Sequence, residues 1–333
     1  MNHDNALIAP AVNAVRLAAE ICTIVQQQLV TADTAAKKDR SPVTVADYAS
    51  QAVVCRLLEQ ETAGAVLPVV GEEGAAALRT DEQADMRQRV TAMVRQVIPG
   101  ACENDVLDWI DRGGHAGGAS GRFWTLDPID GTKGFLRKEQ YAIALGLVED
   151  GRVVLGVLGC PGMSLPGQTS PGVVLVAVKG QGTRIAPMRG CGLVGAEPIT
   201  TDGLADAAQA RFCESVESGH SDQDQSVQIA KKLGITHPPV RMDSQAKYAA
   251  VARGEASIYL RLPTSAEYRE KIWDHAAGLL CVEEAGGKVT DIHGQPLDFA
   301  HGRTLEHNRG IIATNGPLHA RVVAAVGEVL GAG

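Results

Sequence analysis

Apolar positions recur at helical spacing near the start of the chain, where Ile8, Val12, Val15, Leu17, Ile21, Ile24 and Val25 predict an amphipathic helix over 6–29. A polar, turn-like run, Lys37-Lys38-Asp39-Arg40-Ser41-Pro42, separates it from a second helical pattern over 46–60. That pattern carries Val53, Val54, Leu57 and Leu58 on one side and Asp47 near its start. The apolar run 67–70 predicts a short buried strand ending in Gly71-Glu72-Glu73-Gly74, so two acids stand just past a strand end, where functional groups commonly sit. A helix is predicted over 86–97, followed by a glycine-rich loop over 113–121 whose composition predicts mobility. From Phe123 the pattern changes to alternating or continuous apolar runs over 123–126, 141–149, 153–158 and 173–179, with Asp150-Gly151 marking a hairpin turn. An antiparallel sheet flanked by the earlier helices is expected. Beyond Gly195 strands and helices interleave, with helices near 221–233, 246–253 and 273–285. The expected division is an α+β unit over 1–195 and a smaller α/β unit over 196–333.

Composition narrows the class. The 333 residues are 45% hydrophobic, enough to bury a sizeable core. A net charge of −8, with no run of lysines or arginines, argues against a nucleic-acid polymer as partner. An acidic chain can still handle a small anion if bound cations and a few placed basic residues invert the field locally. The apolar stretches, such as 173–178, are read as too short to span a bilayer, and the N-terminus lacks the pattern of a secretory signal. A cytoplasmic protein is expected. The seven cysteines are scattered, odd in number and without a CxxC pair, consistent with reduced thiols.

The densest chemical signal is Trp124-Thr125-Leu126-Asp127-Pro128-Ile129-Asp130-Gly131-Thr132, an apolar strand running into two aspartates, a glycine and a hydroxyl. Carboxylates this close repel each other unless a cation lies between them, and hard oxygen ligands at this density suit Mg²⁺. Backbone N–H groups of Gly131 and Thr132 could hold a phosphate. Alone, Asp127 and Asp130 could equally be turn and cap residues, Asp274 a helix cap, Asp47 a helix-start acid, Lys247 a solvated helix residue, and His275 a packed core histidine.

Taken together, Gly71-Glu72-Glu73, Asp127 to Thr132 and Trp273-Asp274 resemble the inositol monophosphatase superfamily of lithium-sensitive, metal-dependent phosphatases. The longer strings Ser41 to Tyr48, Asp127 to Phe135 and Tyr259 to Gly278 resemble its 3′(2′),5′-bisphosphate nucleotidase branch, over nearly the whole chain. The resemblance implies a layered αβαβα sandwich of the sugar-phosphatase type, α+β or α/β in class, with most metal ligands in the first unit and the nucleotide contacts and Asp274 in the second. It implies two or three Mg²⁺ ions on Glu72, Asp127, the Ile129 carbonyl, Asp130 and Asp274, and Asp47 with Thr132 as the catalytic pair. Substrate contacts are implied at Gly131, Thr132, His220, Ser244, Lys247 and Arg261. The implied reaction removes the 3′-phosphate of adenosine 3′,5′-bisphosphate, giving AMP; the 5′-phosphosulfate relative is a further substrate, and the protein acts as a monomer. Gly162 after Cys160-Pro161 stands where relatives often carry Asn. Two alternatives stay open: an inositol or sugar phosphate phosphatase, and a non-catalytic nucleotide-binding module. A dinucleotide-dependent oxidoreductase is excluded, since no GxGxxG opens a helix after a strand.

Overall fold

The computed structural model describes residues 3–30, 41–61, 66–165, 172–216, 223–263, 265 and 267–331. Two sheets organise them. The first runs in chain order, β1 (Val69–Gly71), β2 (Arg122–Asp130), β3 (Ala142–Glu149), β4 (Arg152–Cys160), β5 (Val173–Val178), β6 (Gly182–Pro187) and β7 (Glu197–Ile199). It is antiparallel except for β1, which lies parallel to β2. Its last strand lies past position 195. The second sheet gathers β8 (Phe212–Glu214), β9 (Val240–Arg241), β10 (Ile258–Arg261), β11 (Lys288–Thr290) and β12 (Ile311–Thr314) in the order β11-β12-β10-β8-β9.

Alternation along the strands of the first sheet decides which layer covers which face. Ile143, Leu145 and Leu147 of β3 point into one core with Val174 and Val176 of β5, against helices α1 (His3–Leu29) and α2 (Ser41–Glu61). Ala142, Ala144 and Val148 point the opposite way with Val173, Leu175 and Ala177, into a second core shared with α7 (Ala246–Ala252) and α8 (Ala276–Glu284). A third core lies between the second sheet and helices α6 (Gln223–Leu233) and α9 (His319–Leu330). The layers are therefore α, β, α, β, α, as expected. Helices α3 (Ala84–Val97) and α4 (Glu103–Asp111) pack beside α2.

The inner helix α8 sits close to the sheet because β3 and β4 present glycines to it. A Cβ added at Gly146 would stand 2.9 Å from the Ala276 Cβ, and one at Gly156 would stand 2.8 Å from the Ala277 carbonyl oxygen. Close approach here places the turn that precedes α8, and with it Asp274, against the end of β2.

Several local expectations change. Helix α1 meets the length and hydropathy of a membrane-crossing helix over Ala6–Leu29, contrary to the expectation that no stretch is long enough. Burial accounts for its composition: 61% of that stretch is inside the protein, where α2 and the sheet enclose it. Helix α2 already includes Ser41 and Pro42, since proline is tolerated in a first turn, so Asp47 lies inside the helix and not at its start. The stretch before 113–121 contains α4, opened by a capping box in which the Cys102 thiol accepts from the Asp105 N–H and the Asp105 carboxylate accepts from the Cys102 N–H. The loop 113–121 is tied down at its start. The Gly113 carbonyl accepts from the Gly71 N–H at 2.8 Å, and the His115 N–H donates to the Val69 carbonyl at 3.0 Å. The Asp150-Gly151 hairpin stands as expected, both residues at positive φ. All seven cysteines are free.

Candidate active site

Strand β2 carries the acids in its last residues, and its geometry explains how both serve one site. In a regular strand, side chains three apart point to opposite faces. Between Asp127 and Asp130, across Pro128 and Ile129, the pairing with β3 shifts register, and the irregularity re-aims Asp130. Both now line the same cavity of about 320 Å³. The Asp127 carboxylate also accepts from the Ile129 N–H at 3.1 Å, which fixes the bend locally. From α2, the Ser50 hydroxyl donates to the Pro128 carbonyl at 2.9 Å.

Glu72 is carried by the parallel neighbour β1, whose Gly71 pairs with Leu126. A buried glutamine clamps this corner: the Gln51 amide donates to the Glu73 and Ile110 carbonyls at 2.7 and 2.8 Å and accepts from the Glu73 N–H at 3.1 Å. Gly71 and Gly113 have no Cβ to meet that amide, which an added Cβ would approach at 2.5 and 2.4 Å respectively. Arg303 closes the other side by donating to the carbonyls of Gly71, Gly113 and His115.

The fourth acid, Asp274, ends the short 3₁₀ turn Ile272–Asp274. Gln245 ties it to β2. Its backbone N–H donates to Asp130 at 2.6 Å, its side-chain amide donates to the Trp273 carbonyl at 2.9 Å, and its amide oxygen accepts from the Gly278 N–H at 3.3 Å. Ser244, held at a positive φ of 69°, turns the chain so that this is possible. Gly131 also has a positive φ, and a Cβ there would stand 2.8 Å from the Ser244 Cβ.

Glu72, Asp127, Ile129, Asp130, Gly131, Thr132, Ser244, Lys247, Arg261 and Asp274 all line this one cavity, so the expected residues from distant parts of the chain converge. Asp47 is outside the lining, with Glu73 and Glu72 as its electrostatic neighbours. His220 lies outside the described residues. Missed in the sequence were Gln245, Gln51 and Glu270; the role of each depends on tertiary contacts, and only the place of Gln245 beside Ser244 hinted at it.

The cavity carries charges of both signs. Burial followed by repulsion from Glu72, Asp130 and Asp274 pushes the Asp127 carboxyl well above its usual range. Glu72, although exposed by surface area, is pushed up to about 8 by desolvation, then by Asp274, Glu73 and Asp130. Burial also raises Asp274, to about 6, against the opposing pull of Arg261 and His275. Beside the acids lie Lys247, its ammonium 5.2 Å from the Tyr259 ring centroid and drawn down by burial, and Arg261. The Arg261 guanidinium donates from Nε to Glu270 at 2.8 Å and reaches Asp274 at 3.4 Å. His275, expected to be a packed core histidine, is fully buried between Glu270 and the Tyr248 hydroxyl. The carboxylates of Glu270 and Asp274 and a ring nitrogen of His275 lie within 4.8 Å of one another, but Arg261 and the histidine already engage that group.

Hard carboxylate oxygens that resist ionisation together are a donor set for a divalent cation, and these residues fit one. A pH dependence follows. A carboxyl whose folded pKa is raised contributes stability that is present below its unfolded pKa and lost as pH rises through the folded value. For Glu72 and Asp274 that loss runs from about 4 to about 8. The chelator-treated protein should therefore lose melting temperature between about pH 4 and about pH 8, and a divalent cation at a hundredfold its Kd should restore about 2.7 kcal/mol, or roughly 4 °C. Differential scanning fluorimetry at several pH values, with and without chelator, checks this.

A family model described as the inositol monophosphatase family matches residues 4–330. The chain belongs to that family. Within it, the chain is 43% identical to the 3'(2'),5'-bisphosphate nucleotidase of Emericella nidulans, with 94% of this chain and 96% of that one covered. It is 44% identical to the protein of the same name from Oryza sativa, over 97% and 94%, and 43% identical to that of Schizosaccharomyces pombe, over 96% and 94%. Among solved structures, an IMPase from Thermotoga maritima superposes with a TM-score of 0.62 at 20% identity, covering 96% of both chains. SuhB of Mycobacterium tuberculosis superposes with 0.63 at 19%, covering 99% of both, so the fold is that of this family. Family and acidic cluster together point to a divalent metal cofactor.

Proposed function

We propose that the chain is a Mg²⁺-dependent phosphomonoesterase that removes the 3′-phosphate of adenosine 3′,5′-bisphosphate to give AMP, with the 5′-phosphosulfate relative as a second substrate. The observation that carries this is one cavity lined by four acids, Glu72, Asp127, Asp130 and Asp274, together with two cations, Lys247 and Arg261. A molecule with two phosphates offers one to a cation held by the acids and one to Lys247 and Arg261, whereas a monophosphate offers only one. The relatives named 3'(2'),5'-bisphosphate nucleotidase support the same substrate.

Glu72, Asp127, the Ile129 carbonyl, Asp130 and Asp274 hold the cations, two or three in number. Bound there, Mg²⁺ neutralises the phosphate dianion, lowers the pKa of the attacking water and stabilises the leaving oxygen. The protein's own groups supply placement. Gly131 and Thr132, at the start of the short helix α5 (Thr132–Arg137), offer backbone N–H groups and a hydroxyl to the reacting phosphate. Asp47 and Thr132 orient or deprotonate the water; burial and the charges of Glu73 and Glu72 raise the Asp47 carboxyl. Ser244, Lys247 and Arg261 take the nucleotide and its remaining phosphate, and His220 is assigned to the nucleotide as well. We assign the metal ligands other than Asp274 to a unit over 1–195 and the nucleotide contacts to 196–333, in a monomeric cytoplasmic enzyme.

Phosphate release with Mg²⁺ is expected from adenosine 3′,5′-bisphosphate in strong preference to inositol 1-phosphate, fructose 1,6-bisphosphate and AMP, and Li⁺ should suppress it. Preference for inositol 1-phosphate would discard the nucleotide assignment and keep the metal site.

A further inference from the structure

Arg261 poses a problem for the site. Its guanidinium lies 3.4 Å from Asp274, one of the acids assigned to the metal, and an arginine that settled fully on that carboxylate would compete with a divalent cation for it. The structure shows what holds it back. The Nε of Arg261 is 2.8 Å from Glu270, a closer contact than the one to Asp274. Glu270 is itself buried, and the oxygen that meets Arg261 is shared: His275 Nε2 lies 3.1 Å from the same Oε2, and His275 Nδ1 lies 2.8 Å from the Tyr248 hydroxyl.

The chain of contacts ends on a rigid anchor. The Tyr248 ring packs edge-on to Tyr259, with centroids 5.0 Å apart, and occupies the space a side chain at Gly278 would need; an added Cβ there would stand 2.3 Å from the ring. With no room to swing, Tyr248 fixes His275, His275 fixes Glu270, and Glu270 fixes the guanidinium. Buried, fully partnered networks of this kind hold one geometry, because any alternative leaves a charge or a polar atom unpaired.

We propose that Glu270, braced by His275 and Tyr248, is a positioning residue that withholds Arg261 from Asp274, keeping the aspartate available to a divalent cation and the guanidinium available to an anionic substrate group. The inference rests on the reading of Asp274 as a metal ligand. Glu270 touches neither cation nor substrate in this role; it acts through Arg261.

That indirectness makes it testable without turnover. MgCl₂ titration of the full chain, followed by thermal shift, gives an apparent half-saturation. Glu270→Gln should raise that value about tenfold in the wild-type background, because the released guanidinium moves onto Asp274. In an Arg261→Met background the same substitution should move it less than about threefold, since nothing remains to be withheld. Equal shifts in both backgrounds would show that Glu270 acts by its charge or by general structure, and would overturn the proposal. Tyr248→Phe, which loosens the brace and keeps the carboxylate, provides the same comparison if Glu270→Gln does not fold; it should raise the half-saturation in the wild-type background alone. A wild-type chain whose melting temperature ignores Mg²⁺ would overturn the metal reading itself, a failure distinct from unchanged half-saturation in the variants.

Discussion

Asp127→Asn should lower turnover of adenosine 3′,5′-bisphosphate on the order of a thousandfold, equivalent to about 4 kcal/mol of transition-state stabilisation. The substitution is nearly isosteric, and an asparagine oxygen can still accept the Ile129 N–H that Asp127 accepts at 3.1 Å. Local geometry is therefore preserved while one charge disappears. Because Asp127 is buried among Glu72, Asp130 and Asp274, removing its charge relieves repulsion in the metal-free protein. The variant's melting temperature without metal should be unchanged or higher, even as activity collapses. Steady-state kinetics and thermal melts on the same preparation separate loss of chemistry from loss of fold. Retained turnover would remove Asp127 from the site.

Arg261→Met should act on binding more than on chemistry. A charge-assisted contact to the phosphate that is not cleaved contributes about 1.5–3 kcal/mol, so KM for the bisphosphate should rise roughly 10- to 100-fold with kcat changed much less. Substrates without a second phosphate should show little change in kcat/KM. Methionine fills the volume, but it leaves Glu270 without one partner, and some stability should be lost as well. A uniform loss on all substrates would place Arg261 at the reacting phosphate instead.

The sequence carried more of the site's membership than of its geometry. Asp127 and Asp130 were visible because apolar residues lead straight into them, and Glu72 because it follows a short apolar run. What the linear pattern hid is that Asp127 and Asp130, three residues apart, would diverge on a regular strand; only the register shift opposite β3 turns them into one cavity. Glu270 and Gln51 were invisible, and Gln245 was only hinted at by its place beside Ser244, for a related reason. A buried polar residue that braces a site looks the same in one dimension as a surface residue, and its partners, Arg261 and His275 for Glu270, Trp273 and Gly278 for Gln245, are brought near by folding.

The fold behaved similarly. The apolar runs along 141–149 and 173–179 marked the first sheet well, since each strand is buried on both faces, and β3 also sends its larger residues to one side and mostly smaller ones to the other. The short strands β8 to β12 and the helix α4 were not resolved, because brief runs with polar neighbours carry little periodicity. Helix α1 was legible over 6–29, and because its neighbours enclose it, it also takes on the composition of a membrane span.

The most direct test of the account is the identity of the product. Adenosine 3′,5′-bisphosphate incubated with the protein and Mg²⁺ and followed by phosphorus NMR should lose the 3′-phosphate signal while the 5′-phosphate persists in accumulating AMP, one inorganic phosphate appearing per molecule consumed. Loss of the 5′-phosphate first, or no release of phosphate with Mg²⁺ present, would contradict it.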